Sequence, residues 1–448
     1  MWLVMAVFFL GVMIYSLKSP YVGLLGMMAS DVLRPGELYE QIAFLHIERT
    51  LAVLVLISFI VKVKKIEWPT VTKTLFFFWF TMFMSIPFSI WPSDALSNVI
   101  AFGRLIIYHI LVVNLVRTEQ RFKGFLLVYT LLIGWVAMSS LIAFSQGIVY
   151  HGTEAVERVE ATNSFGGNPN SLGTTMVVSM PLVMLLLTKK SGIGRLISVC
   201  VIVLSVATII FTGSRTAFLA LIFLIMIAPL LRKKGLLYVP VAILLVTMVW
   251  VATPQAYKER YLSVEARAKD DSYQLRLITW SAGWQMFKDR PITGIGMGEF
   301  GTANGVKYWP DRSHPHWYNA HSLYLQTIAE LGIVGAIAFL AFLFQLFKLN
   351  GQQQRRLEPH KELPAYMRLF PYACNITIIG LLFEGYAGHD LYRSSWYMMA
   401  ALSAALAYIP INESEPDGDT PPEETKVEGT PPQFSYAGMG MNNSRLLR

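Results

Sequence analysis

The stretch Gly124-Phe125-Leu126-Leu127-Val128-Tyr129-Thr130-Leu131-Leu132-Ile133-Gly134-Trp135-Val136-Ala137-Met138-Ser139-Ser140-Leu141-Ile142-Ala143-Phe144, continuing to Tyr150, carries no charged side chain. An α-helix needs roughly 20 mostly apolar residues to cross a bilayer. In hydrocarbon every backbone polar group must find its partner within the protein, which favours helices. Leu331 to Phe347 is equally bare. Outward from these two runs, similar blocks place about 12 spans. Their rough centres fall in 1–30, 50–64, 74–91, 97–116, 124–146, 170–188, 196–211, 215–231, 236–252, 320–347, 365–385 and 391–409. The chain therefore reads as an all-α polytopic membrane protein. Pro20 and Gly23 interrupt the first block, which could be one bent span, two spans or a re-entrant piece.

The composition agrees. Of 448 residues, 54% are hydrophobic and 15% charged, against about a quarter charged in soluble domains. Mean hydropathy is +0.47. The net charge of +8 comes from 37 basic and 29 acidic residues. These basic residues gather in short loops: Lys62, Lys64, Lys65 and Lys73; Arg117, Arg121 and Lys123; Lys189, Lys190 and Arg195; Arg232, Lys233 and Lys234; Lys348, Arg355, Arg356 and Lys361. They occupy every second loop, as cytoplasmic loops do, so the charge is a topological signal and not a nucleic-acid surface. Loops 31–49, 92–96, 147–169, 212–214, 253–319 and 386–390 then face outward. Cys200 and Cys374 both fall in apolar helices and read as packing residues, with neither a disulfide framework nor a zinc site. The apolar N-terminus lacks a small-residue cleavage site and reads as a retained helix.

Loop 253–319 is the largest outward segment. Within it, Leu277, Trp280, Trp284 and Phe287 recur at helical spacing. Pro291 and Gly294, Gly296 and Gly298 follow as a turn-rich piece. The expectation is a helical cap lying at the membrane surface, inside a transmembrane domain spanning 1–410. The tail 411–448, rich in Pro, Glu, Asp and Gly, cannot bury enough apolar surface to fold and reads as a disordered cytoplasmic tail.

Two outward-facing segments carry candidate chemistry. In Phe211-Thr212-Gly213-Ser214-Arg215-Thr216 a tight connection pins Arg215 at the membrane surface. Its guanidinium could snorkel to the interface or offer paired donors to a phosphate. In His314-Pro315-His316-Trp317-Tyr318-Asn319-Ala320-His321-Ser322 the last histidine starts a span. An imidazole there could be a general base or a helix-start residue bonded to loop backbone. His314 and His316 could pair, but no Cys, Asp or Glu stands at a familiar zinc spacing, so no metal site is expected. Arg158 lies in a turn-rich loop, and Asn170 is placed to cap the next helix. Arg276 sits on the cap helix and could instead pair with Asp270 or Glu299. Arg104 falls about 10 Å inside a span by helical rise and needs a partner or a wet cavity. The chain has no Walker-type phosphate loop, no dinucleotide fingerprint and no HExxH helix. Energy for any group transfer must then arrive with the substrate.

Gly213-Ser214-Arg215, then Arg276 with Trp280 and Pro291-Ile292-Thr293-Gly294-Ile295-Gly296, then Asn319-Ala320-His321-Ser322-Leu323-Tyr324-Leu325 and Leu331-Gly332-Ile333-Val334-Gly335, together resemble the O-antigen ligase and polymerase superfamily. The resemblance runs from about Arg158 to the last span. It implies a GT-C-type glycosyltransferase of the bacterial inner membrane with its active site facing the periplasm, working without a metal or other cofactor. Such enzymes take a glycan from undecaprenyl pyrophosphate. Ligases pass it to the lipid A core of lipopolysaccharide, and sister groups polymerise O-antigen or glycosylate proteins. The resemblance maps the family arginine on Arg215 and the family histidine on His321. Ser322 stands where many relatives carry asparagine. Pro20-Tyr21-Val22-Gly23-Leu24-Leu25 is faintly similar to ligase-like proteins beside exosortase systems, which widens the choice of acceptor.

The resulting expectation is an O-antigen ligase acting by inverting, metal-independent transfer. His321 is the base and Arg215 holds the pyrophosphate. Arg276, Arg158, Arg104, His314, His316 and Asn170 contact pyrophosphate or glycan. An O-antigen polymerase and a protein O-oligosaccharyltransferase are the alternatives within the chemistry. A lipid or glycan transporter is the alternative outside it, and would place its charges at the bilayer midplane in broken helices.

Overall fold

The computed structural model describes residues 2–151, 156–188, 192–231, 235–262, 271–311 and 313–411. The basic residues Lys189, Lys190 and 232–234, as well as Asp270 and the acidic tail, lie outside the described residues. The helices, in chain order, are α1 (Trp2–Lys18), α2 (Pro20–Leu33), α3 (Pro35–Leu38), α4 (Ile47–Lys62), α5 (Thr70–Ser85), α6 (Pro92–Leu115), α7 (Glu119–Ser145), α8 (Pro169–Leu185), α9 (Ile193–Phe211), α10 (Arg215–Leu230), α11 (Val239–Ala252), α12 (Gln255–Leu262), α13 (Asp271–Asp289), α14 (Phe300–Ala303), α15 (Leu323–Leu357), α16 (Ala365–Glu384) and α17 (Ser394–Ala407). Among the described residues the only extended pairing is an isolated bridge between Tyr150 and Arg158. Among the described residues, nine helical stretches are long and apolar enough to cross a membrane, and three more apolar helices are shorter. The chain is an all-α polytopic membrane protein.

The ambiguous N-terminal block resolves into two helices. Proline cannot supply an interior helical hydrogen bond but suits a first turn, so Pro20 closes α1 and opens α2. The last expected span becomes α17, only 14 residues long. At 1.5 Å per residue it is about 21 Å long. It is buried on nearly every side, through Trp396, Tyr397, Met399 and Leu402, and so fills the bundle interior. α11 is its opposite: only Ala242 is buried, and its apolar side chains face outward, as suits lipid.

Helix starts follow local chemistry. Thr118, Ser214 and Ser322 cap α7, α10 and α15 by accepting backbone N–H bonds. For α8 the cap is Asn168, which accepts from the Ser171 N–H at 3.1 Å, and not Asn170. The cause is Pro169, which takes the first helical position and so puts the cap at Asn168, two residues before Asn170. Cys374 is buried as expected, but Cys200 is exposed on α9.

Helix ends sort onto two sides. On one, the Val159 N–H donates to the Phe211 carbonyl, the Leu323 N–H to the Gly385 carbonyl, and Arg393 to side chains at the start of α8. On the other, Arg356 donates to the carbonyls of Ala407 and Ile409, and Tyr366 to Glu119. This is the alternation that the basic loops require. The side joining α8, α9, α10, α15, α16 and α17 carries the candidate chemistry.

The cap helix forms as α13, but with a different buried face. Thr279, Ala282, Gly283 and Met286 turn inward, whereas Leu277 and Trp284 are exposed. Small residues win the inner face because the helix lies close to its neighbours. A Cβ on Gly283 would stand 2.9 Å from Phe300. Trp284 and Phe287 pair on the outer side, rings 5.4 Å apart.

α15 is broken at Gly332, whose φ of 62° and ψ of −165° suit glycine alone. The break frees backbone groups that segment 291–296 satisfies. Ile333 and Val334 donate to the Pro291 and Ile292 carbonyls, while Ile295 and Gly296 donate to Ala329 and Glu330. A Cβ on Gly332 would overlap the Ile292 carbonyl, and one on Gly294 would overlap the Glu330 carbonyl. Glu330, buried above the break, accepts from the Gly298 and Phe300 N–H groups and from the Tyr392 hydroxyl. Both glycine-rich motifs are thus two halves of one clasp that fixes the cap to α15.

Candidate functional site

The arginine half of the site is built around one glycine. Gly213 has φ +57°, which lets the chain reverse between α9 and α10 in three residues, Thr212 to Ser214. A Cβ there would lie 3.0 Å from Arg260 Nε and 3.6 Å from Arg158 Cγ, so both side chains run across it. Arg158 Nε donates to the Thr212 carbonyl and its Nη2 to Asn170 Oδ1, each at 2.7 Å. Arg260 Nε donates to the Gly213 carbonyl at 2.7 Å, and Arg215 Nε to the Arg260 carbonyl at 3.0 Å. α8 is pressed onto this turn through Gly173, where a Cβ would meet Ala217 at 2.6 Å. Tyr261 stacks on Phe218 with ring centroids 4.3 Å apart and holds α12 across the helix ends. Arg158 is 8% exposed. Burial first, with the Arg215 charge adding, pushes its pKa down against the opposing Tyr150, Tyr257 and Tyr261 rings. Clustered guanidiniums under partial burial are stabilised by an anion.

The histidine half stands on the other face of the first turns of α8. His321 has φ +44°, a left-handed conformation uncommon for a non-glycine residue and a mark of local constraint. It precedes the capping Ser322, and its ring meets His389 edge to face, centroids 5.1 Å apart. Burial, then His389, then the Arg276 guanidinium push the His321 pKa down to about 4, with Asp390 opposing. The ring is therefore neutral at neutral pH and able to accept a proton. Asp390 is paired with Arg393 at 2.9 Å, and Arg393 reaches Thr175 Oγ1 at 2.9 Å and Ser171 Oγ at 3.1 Å. Tyr386 meets Trp280 of α13 at 5.7 Å. α8 lies between the halves: its Gly173 faces the Gly213 turn, and its Ser171, Thr174 and Thr175 face the 384–393 segment.

Of the residues expected from sequence, Arg158, Asn170 and Arg215 gather in one half, and Arg276 and His321 in the other. Arg276 neighbours His321 and does not take Glu299 as its partner. Glu299 lies among Asp94 and Glu330, and burial followed by those two charges lifts its pKa to about 7. Arg104 is exposed on α6 and within electrostatic reach of Asp31 and Glu48, a cluster that also holds Arg34. His314 bonds Asp311 at 3.1 Å, and His316 lies against Trp309 and Tyr318. The partners of these two histidines belong to their own loop, so the geometry gives Arg104, His314 and His316 no part in either half.

Sequence reasoning missed Arg260, His389, Asp390, Arg393 and Glu384. A signal existed for three of them. His389, Asp390 and Arg393 are polar residues packed into a very short outward connection, where a plain turn needs none.

A pH profile tests the state of His321. If its neutral ring takes a proton in the rate-determining step, kcat/KM should fall only as pH drops through about 4, and stay level across 6.5. An acid limb centred near 6.5 would show the ring to be unshifted.

Residues 200–340 match the model of the O-antigen ligase family. That stretch contains Arg215, Arg260, Arg276, His321 and the Gly332 break. A protein of Rickettsia conorii, provisionally named a polysaccharide ligase, is 27% identical over 136 residues. The match covers 29% of this chain and 30% of that relative's length.

Proposed function

We propose, for a chain whose membership of the O-antigen ligase superfamily is supported by residues 200–340, a glycan transfer from undecaprenyl pyrophosphate to a lipid A core oligosaccharide. The observation that carries this reading is the pairing of an arginine cluster on Gly213 with a low-pKa histidine at the same end of the bundle. The site faces the periplasm of the bacterial inner membrane. The architecture is of the GT-C type, with the cap over the site.

The acceptor hydroxyl attacks the anomeric carbon from the face opposite the pyrophosphate, so configuration inverts. A C–O bond forms as the bond to pyrophosphate breaks. The hydroxyl proton passes to His321, and the bonding electrons leave with undecaprenyl pyrophosphate. Arg215, Arg158 and Arg260 stabilise the charge that develops on the leaving group, and Arg276 adds positive field from the cap. Preorganised donors of this kind are worth about 10² to 10³ in rate each. Guanidinium charge takes the place a divalent ion fills in other transferases, so transfer is expected to be metal-independent.

The test is an in vitro reaction of purified protein with undecaprenyl-pyrophosphate-linked glycan and core-bearing lipid A. Wild type should load lipid A with or without chelator, and Arg215→Ala should lower the rate by about 10² to 10³. Arg215→Lys should not restore it, since ammonium lacks the paired fork. Lengthening of the lipid-linked glycan in place of lipid A loading would make the protein a polymerase, and transfer to a protein serine an oligosaccharyltransferase. Activity lost on chelation and regained with a divalent ion would overturn the metal-free mechanism.

A further inference from the structure

Glu384 ends α16, outside the stretch that matches the family, yet it lies between the two halves of the site. It is 2% exposed. One carboxyl oxygen accepts from Thr174 Oγ1 at 3.2 Å, and the other, Oε1, is buried with no hydrogen-bond partner among the described residues. The same Thr174 hydroxyl lies 3.0 Å from the Asn170 carbonyl, and Asn170 Oδ1 accepts from Arg158. On the other side, Gly385 accepts the N–H of Leu323, two residues beyond His321. Asp390 and Arg393 are within electrostatic reach of the carboxyl group. Burying a polar atom without a partner is unfavourable, and most such atoms are paired. A ligand can therefore supply what the free protein lacks here.

The chemistry narrows what that ligand atom is. An ionised carboxyl oxygen accepts a hydrogen bond, and a protonated one donates. The pyrophosphate that the arginines suit has only acceptors to offer and would match Oε1 in the protonated form alone. A sugar hydroxyl, which both donates and accepts, matches either form, and an amide N–H matches the accepting one. The sugar directly attached to pyrophosphate is the part of a donor that must lie between the arginines and His321, which is where Glu384 stands. We propose that Glu384 is a specificity-determining residue that accepts a hydrogen bond from a hydroxyl or amide N–H of the sugar joined to the lipid pyrophosphate. This rests on the transfer reaction proposed above. A site built to bond a polar group discriminates strongly against an analogue that lacks it.

The experiment uses the full-length protein and a set of lipid-linked donors in which each hydroxyl or amide of the first sugar is removed in turn. For wild type, one such donor should lose at least about 100-fold in kcat/KM. Glu384→Met, similar in length but without a carboxyl or amide oxygen, should raise KM for the intact donor with a smaller change in kcat. It should also use the intact and the sensitive deoxy donor within a few fold of each other. Thr174→Val, which removes the one group among the described residues that is hydrogen-bonded to the carboxyl, should keep the discrimination. Wild type that uses every deoxy donor alike overturns the assignment, as does discrimination that persists in Glu384→Met. Sensitivity to a deoxy acceptor in place of a deoxy donor overturns the choice of the donor sugar. If Glu384→Met does not fold, the donor series on wild type decides. Wild type that transfers no glycan from any donor would defeat the reaction itself, a result distinct from active protein without donor discrimination.

Discussion

Replacing His321 by alanine is expected to lower transfer by about 10² to 10⁴, the usual worth of a positioned general base. The fold should survive, because the ring's neighbours His389 and Arg276 lie at the site and no core contact among the described residues depends on it. One complication is structural. His321 has φ +44°, so alanine there carries a backbone penalty as well as a chemical loss. His321→Asn separates the two, since asparagine visits this conformation more readily than most residues but is no base at neutral pH. Transfer should be equally low in both variants, and the thermal midpoint should be higher for asparagine than for alanine. Asparagine at near wild-type rate would show that the residue matters for its backbone and not for its imidazole.

Gly332→Ala should strongly destabilise the protein. A Cβ at this φ and ψ is strained, and it would overlap the Ile292 carbonyl that receives a backbone hydrogen bond from Val334. Strain of about 1 to 3 kcal/mol comes from the backbone. Losing part of the clasp adds to it and brings the total to about 4 kcal/mol, the range reserved for a few named mechanisms. In detergent the thermal midpoint should drop by roughly 5–10 °C. Gly351→Ala, on the same helix with open space around its Cβ position, is the control and should change the midpoint little. Equal midpoints for the two variants would mean that α15 tolerates a continuous helix through residue 332.

Sequence gave the helical layout readily and the site only in part, for reasons visible residue by residue. Bare apolar runs mark spans because lipid leaves the backbone no alternative partner. The alternation of basic loops then orders the helix ends, and the structure joins those ends as that order requires. The inner face of α13 was not legible, because large apolar residues at helical spacing look like a core face while Ala282 and Gly283 look like filler. Close approach reverses that weighting. Arg215, Arg276 and His321 stand out in the sequence because short motifs surround them. Arg260, Glu384 and Arg393 do not, since each meets its partner far away in sequence, as with Thr174 and Glu384. The misplaced cap at Asn170 shows a smaller limit: one proline shifted the helix start by two residues. Arg104 shows the other case, a charge inside an apolar helix for which sequence left a partner or a wet cavity open, and which the structure places within electrostatic reach of Asp31 and Glu48.

The polar first turns of α8 also set an order of assembly. Ser171, Thr174 and Thr175 meet their partners Glu384 and Arg393 on segments made about 200 residues later. At a synthesis rate of about 5 to 20 residues per second, that interval lasts roughly 10–40 s. Through that interval the site-facing hydroxyls of α8 lack these C-terminal partners, whereas Gly173 and the Gly213 turn, which pack together, have both been made. The residues of the arginine half are thus synthesised before those of the histidine half, and under the transfer proposed above the site is complete only once α16 and the connection to α17 have followed.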